Sequence, residues 1–297
     1  IRRQRQMCIR DRAATVLCKQ HIRGYIGTFD RISYYETDDD GVPFTFPVEN
    51  EYYKKAKVDN FEKIPGAPVA YWVSEKIFHI YQNYPILDSF AEVKHGLTTG
   101  KNELFVRAWT EVEREKIDTT LTDRSQITSK SRRYVPYNKG GEYWLWHGNA
   151  DYVLWYDLNG QKQMAQFSGH RHDGKDMYFH EGITWSFISS SNFGVRYTPS
   201  GFAFDVAGSS MFFDNEYLMY VCGLLCSRIG SQFMSIQNPT LAFQVGNLKD
   251  IPIVINQKET VEDVVKKNIA MSKNDWDSFE TSWDFTTHPL VNMSKGL

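Results

Sequence analysis

At 297 residues the chain is long enough for one large domain or two small ones, and 41% hydrophobic residues can fill a sizeable core, so a globular protein is expected. A formal charge of −2 excludes capture of nucleic acid by the whole-molecule field, so such a partner requires a local basic patch. No stretch approaches the roughly 18 apolar residues of a membrane span, and Cys8, Cys18, Cys222 and Cys226 form no CxxC pair and have no His at zinc-site spacing, which points to a reducing, cytoplasmic compartment without a structural metal.

Residues 1–12, IRRQRQMCIRDR, read as a non-native, adapter-like leader and are set aside from the fold. Residues 13–64 read as the edge of a preceding domain and a linker. Within them Ala14 to Tyr35 alternates around Gly24 and Gly27 as two strands or a strand and a turn, and an acidic loop with a short helix near Glu51 to Ala56 follows. Pro65 and Pro68 punctuate the start of the main domain, 65–256. In AYWVSEKIFHIYQNY the spacing of Trp72, Ile77, Ile80 and Tyr84 predicts a helix that stops before Pro85. Short β-rich runs then succeed one another: ELFVRAW, EYWLWHG, YVLWYD, MYFHEGITWSFI, GVRYTP and FAFDVAGSSMFF. One helix is predicted over Tyr217 to Phe233, with Cys222 and Cys226 one turn apart on its apolar stripe as core residues. A more polar helix, Lys258 to Met271, is expected to lead outward, so 257–297 reads as the start of a helical spacer.

Methyl-donor and nucleotide sites usually need a Gly-rich turn, yet none of the 20 glycines forms a GxG. A loop for an extruded base of the Asn/Asp-Pro-Pro-aromatic type is also missing, Asn238-Pro239-Thr240 being a partial echo. No catalytic, cofactor or metal residue is therefore assigned. Gly96-Leu-Thr-Thr-Gly100-Lys101-Asn102 falls one residue short of a phosphate loop; it reads as a tight turn whose amides and Lys101 meet a DNA phosphate, or as a plain hairpin turn. Asp88 with Glu92-Val93-Lys94 imitates a nuclease D...ExK set but is too compact in sequence and reads as surface charge. His170, His172 and Asp173 read as an exposed polar loop in preference to a metal site. The strongest charge signal is RSQITSKSRRYVPYNK, with Arg124, Lys130, Arg132, Arg133 and Lys139, no acidic residue, and interleaved Tyr134 and Tyr137. Such a patch can grip phosphates while its aromatics meet sugars or bases.

The blocks KIPGAPVAYWVSEKI, HGLTTGKNELFVRAW, YNKGGEYWLWHGNADYV, EGITWSFISSSNFGVRY, FAFDVAGSSMFF, NPTLAFQVGNLKDIPI and NDWDSFETSWDFTTHPL closely resemble the PglX family, adenine-specific DNA methyltransferases of BREX phage-defence systems, from about Ala13 to about Leu290. The resemblance implies a place downstream of the catalytic domain, truncated at both ends, in a region like the target-recognition domains of type IIG enzymes and type I specificity subunits. It implies an α+β fold with a twisted mixed β-sheet core and peripheral helices, and double-stranded DNA as partner. The parent enzyme would flip an adenine and methylate N6 from S-adenosylmethionine, marking host DNA, while this segment lacks the methyl-transfer motifs. Candidate phosphate contacts are Lys101, Arg107, Lys130, Arg132, Arg133 and Lys139; candidate groove or base contacts are Thr98, Thr99, Asn102, Tyr137 and Arg196. The rival readings are a protein-interaction module for another defence subunit or a phage inhibitor, and a hydrolase using Glu92 or His172.

Overall fold

A computed structural model describes residues 15–294 apart from 17, 18, 21, 190, 191, 215 and 239. The leader 1–12, Cys8, Cys18 and Pro239 lie outside the described residues. The chain divides into two compact units between Val73 and Ser74.

In the first unit β1 (Ile26–Phe29) pairs antiparallel with β2 (Lys54–Lys57), Ile26 opposite Lys57. The short helix expected near Glu51 to Ala56 is replaced by this strand. KKAK has no apolar stripe for a helix to bury, whereas pairing with β1 satisfies its backbone groups. Phe29 stacks on Tyr71 at 4.9 Å and meets the edge of Phe61 at 5.5 Å, the centre of a small core.

The second unit opens with α1 (Glu75–Asn83), which ends at Tyr84 ahead of Pro85 as the spacing predicts. Its buried face is turned by about one residue from the predicted stripe and centres on Phe78 and Tyr81. The chain continues through β3 (Glu92–Lys94), β4 (Thr98–Thr99), α2 (Asn102–Phe105), β5 (Val106–Ala108), β6 (Tyr134–Asn138), β7 (Tyr152–Trp155), α3 (Leu158–Met164) and β8 (His170–Arg171). It then runs through β9 (Gly182–Trp185), β10 (Val195–Thr198), β11 (Ala203–Phe204) and β12 (Ser210–Phe212), and ends in α4 (Leu218–Leu225), α5 (Arg228–Gln237), α6 (Val245–Lys249), α7 (Lys258–Trp276) and α8 (Pro289–Ser294).

The α+β class is present, but the strands of this unit form several small sheets in place of one continuous core sheet. One is antiparallel in the order β10-β9-β12-β3; another runs β11-β6-β7-β5 with a single parallel pair, β11 on β6; β4 and β8 make a two-stranded ribbon. Strands this short cannot carry one extended sheet. Phe212 of the first sheet meets Phe204 of the second at 5.3 Å, within a core that includes Phe105, Leu154, Tyr156, Tyr178 and Phe179. Each such side chain contributes roughly 1.5–3 kcal/mol by leaving water.

Three further segments depart from the expected pattern. EYWLWHG forms a loop, with left-handed backbone at Trp146 (φ 71°) and one bridge to Arg196. The helix over Tyr217 to Phe233 is two helices, because Ser227 stops α4 and caps α5, its Oγ accepting from the Gly230 N–H at 3.2 Å. The last long helix reaches Trp276 and does not lead outward: it lies against α4, where a Cβ on Gly223 would stand 2.6 Å from Val265 Cγ2. The start of the unit is tied to the segment between α6 and α7, since Leu87 N–H donates to Ile251 O and Ile253 N–H donates to Pro85 O, both at 2.8 Å.

Candidate nucleic-acid interface

The segment before β6 is a loop carrying one short 3-10 turn, Arg124–Gln126, capped by Asp123, whose carboxylate accepts the Ser125 N–H at 2.7 Å. It delivers Lys130, Arg132 and Arg133 to the surface, all exposed. Among the described residues no carboxylate forms an ion pair with any of the three. Arg132 Nη1 donates to Ile117 O at 2.9 Å, which engages one edge of its guanidinium. The Arg133 guanidinium lies over the Trp155 ring at 4.0 Å and beside Tyr134 at 5.4 Å. This contact holds the guanidinium against Trp155 of β7 while the residue stays exposed to water. Arg124 turns inward and donates to Gln161 of α3 at 3.4 Å.

A second group gathers around the turn from β4 to α2. Lys101 and Asn102 are exposed and Thr98 is half-buried. Thr99 is buried: its hydroxyl donates to Asn102 Oδ1 at 2.7 Å and accepts the Lys101 N–H at 3.1 Å, so it shapes the turn and meets no solvent. The Gly96 start of this segment is no phosphate cradle, because a Cβ there would fall 2.1 Å from Phe204 O. Lys101 Nζ stands 6.0 Å over Phe167 and 4.0 Å from the Glu103 carboxylate. A row of ring contacts, Phe167 on Phe105 at 5.7 Å and Phe105 on Trp155 at 5.8 Å, links Lys101 to Arg133. The two basic groups therefore share one aromatic underlayer.

The remaining candidates lie elsewhere. Arg107 is half-buried and donates to Glu103 O and Val106 O, closing the end of α2. Tyr137 is buried with its hydroxyl on Asp205 at 3.0 Å; desolvation holds that hydroxyl well above the ordinary phenol range. Lys139 pairs with the same carboxylate at 3.4 Å. Arg196 is 2% exposed, its Nη1 donating to Ser186 at 3.3 Å and its Nε without a partner among the described residues; burial lowers its pKa to about 10. Tyr137, Thr99 and Arg196 leave no atom for a base edge to meet, so they drop out of the contact surface.

The hydrolase constellations are occupied by other work. Asp88 pairs with Lys249 at 2.8 Å and Glu92 with Lys94 at 2.7 Å. The segment read as an exposed polar loop forms β8 on β4, and His172 is half-buried, its Nε2 in contact with the Tyr156 hydroxyl; burial depresses its pKa to about 4. Among the described residues no group of three or more His, Cys, Asp or Glu is placed to hold a metal ion. Cys222 and Cys226 are free thiols, Cys226 donating to Val195 O at 3.3 Å. Sequence reasoning missed Arg171, which stands exposed opposite Thr98 in the ribbon, and Trp155, read only as part of a core strand. The polarity of SGHRHDGKD was a signal for the first; nothing local marked the second.

No protein-family model matches the chain. It is 37% identical over 292 residues to the adenine-specific methyltransferase PglX of Lacticaseibacillus casei (strain Zhang), covering 94% of this chain and 24% of that protein. It is 34% identical over 242 residues to the adenine-specific methyltransferase BrxX of Escherichia coli O9:H4 (strain HS), covering 80% of this chain and 19% of that protein. The chain thus spans a quarter or less of the length of the curated relatives it matches.

Proposed function

We propose, from the premise that the chain is homologous to a segment of the PglX and BrxX adenine-specific methyltransferases, that it is the target-recognition part of a site-specific adenine-N6 DNA methyltransferase that marks host DNA in phage defence. The observation that carries this reading is the exposed trio Lys130, Arg132 and Arg133, free of carboxylate partners among the described residues, with Arg133 backed by Trp155. Cations presented in this way exchange water and counterions for phosphate oxygens, which sets position on the duplex. In this reading Lys101, Asn102 and Arg171, of which Lys101 stands 4.0 Å from Glu103 and Arg171 3.4 Å from Asp173, would extend the contact toward a groove, where base pairs differ in their donor and acceptor pattern.

In this reading S-adenosylmethionine, the donor such an enzyme would use, is held outside this segment. At the one adjacent glycine pair, Gly140-Gly141, a Cβ on Gly140 would stand 2.5 Å from Ala207 O and one on Gly141 2.9 Å from the Asn149 side chain, so protein already packs against this turn. Methyl transfer belongs in this reading to another part of the intact enzyme, and no step of it is derived from these residues.

The test is binding of the chain to random-sequence duplex at several salt concentrations, read by fluorescence anisotropy, beside a Lys130→Ala/Arg132→Ala variant. Binding should fall steeply with salt, and the double variant should lose roughly two units of the log–log slope. A folded chain that ignores duplex DNA at low salt would overturn the reading. The alternative of a protein-interaction module draws on one observation, the exposed aromatics Tyr34, Tyr35, Phe44 and Phe46 in the first unit. Loss of a defence-subunit partner in a Tyr35→Ser/Phe46→Ser variant with unchanged duplex affinity would favour it.

A further inference from the structure

Away from the basic surface, a cavity of about 610 Å³ opens in the second unit between β5, the loop after β6 and the end of α7. Four aromatic rings wall it, those of Trp109, Trp144, Trp276 and Phe279. They are held in fixed positions. Trp109 Nε1 donates to Thr281 O at 2.9 Å, and Trp144 meets Trp276 edge to face at 5.6 Å and 88°. Gly148, at φ 135°, brings its loop within reach of both indoles: a Cβ there would stand 3.3 Å from Trp144 and 3.4 Å from Trp276.

Three carboxylates, Asp151, Asp275 and Glu280, line the same cavity, and no lysine, arginine or histidine does so among the described residues. None of the three carboxylates has an ion-pair partner among those residues. Lys273, the nearest lysine on α7, is tied to Asp277 at 2.5 Å and Asp284 at 3.0 Å. Buried Arg196 acts on Asp151 and offsets part of its charge, while desolvation raises the Asp151 pKa. Aromatic rings beside carboxylates, with no lysine, arginine or histidine in the lining among the described residues, suit a positive group too weakly hydrated to prefer water. A phosphate-bearing ligand would be repelled.

We propose that this cavity binds an organic cation, an alkylated ammonium or a guanidinium group with an apolar body, between its tryptophan faces and its carboxylates. Its source is either a free polyamine or a basic side chain of a protein partner, since both present the same chemistry.

The experiment is calorimetric titration of the full chain at constant ionic strength with tetramethylammonium, against potassium as control. Saturable heat is expected with tetramethylammonium alone. Trp144→Leu should weaken it by about tenfold, the equivalent of about 1.4 kcal/mol. Asp275→Asn/Glu280→Gln, two surface substitutions that leave the rings in place, should weaken it several-fold while the melting temperature stays at the wild-type value. Spermidine binding more tightly than Nα-acetyl-arginine methylamide would support the site with a free polyamine as its ligand; the reverse order would support it with a partner's side chain. Equal responses to potassium and tetramethylammonium would overturn the proposal, as would unchanged affinity in the carboxylate variant. Binding of adenosine where the cations fail would overturn it in favour of a nucleobase pocket.

Discussion

Lys130 and Arg133 stand three residues apart on one loop, yet their removal should have different consequences. Lys130 has an exposed side chain, so Lys130→Ala should change stability by less than about 0.5 kcal/mol and act on duplex affinity alone. Arg133 is stacked at 4.0 Å on Trp155, and Arg133→Ala should in addition cost about 0.5–2 kcal/mol in urea unfolding. Arg196 supplies the opposite case, a cation inside the fold. Replacement by methionine keeps its volume and removes a buried charge with an unpartnered Nε, so Arg196→Met should be neutral or stabilising, whereas Arg196→Ala should cost roughly 2–5 kcal/mol through the cavity it leaves. Neither change should alter duplex affinity in chains that remain folded. The basic run was legible in the sequence, because five cations clustered with no acidic residue among them are a local property; that only Lys130, Arg132 and Arg133 of the five stand exposed was not. The burial of Arg196 was not. In VRYT the alternation assigns Arg196 to an outer face, but α4 packs on β10 and covers what a one-sided sheet would leave open.

At the level of elements, the local signals that end a helix were readable and the ones that choose a partner were not. Pro85 stops α1 from its own position in the chain, and the Gly and Pro punctuation marked most of the strands. The KKAK strand becomes a strand only because β1 lies beside it, a pairing across more than twenty residues that no window of sequence contains. The split between α4 and α5 has the same origin in part, since Ser227 is a cap only once Gly230 closes on Leu224 O. The packing of α7 on α4 rests on the absence of a side chain at Gly223. Gly223→Leu should force Val265 and Val261 away and lower stability by about 1–3 kcal/mol, with thermal melting as the readout. Val265→Gly in the same chain should recover part of that loss by vacating the space, a coupling that a double-mutant cycle would measure.

Across the whole molecule two half-buried imidazoles set an acid limit. His147 and His172 both have pKa values near 4, depressed chiefly by burial from an ordinary value of 6.5. The unfolded chain therefore takes up protons between about pH 6.5 and 4 that the folded chain refuses. Their contribution to stability is complete above pH 6.5 and is lost as pH falls toward 4, so the melting temperature should decline over that window, and less steeply in His172→Gln. The general fold class was visible in the order of helical and β-rich runs, whereas the division of the strands among separate sheets depended on contacts between distant segments. One such contact has a bearing on how the protein is made. Pro85 and Leu87 are joined by hydrogen bonds to Ile253 and Ile251, so 164 residues (251 − 87) must follow Leu87 off the ribosome before its partner Ile251 exists. At about 5–20 residues per second this interval is roughly 8–33 s. For that time the nascent unit has its N-terminal edge unsealed and open to chaperones and proteases, and slowing translation should prolong that exposure.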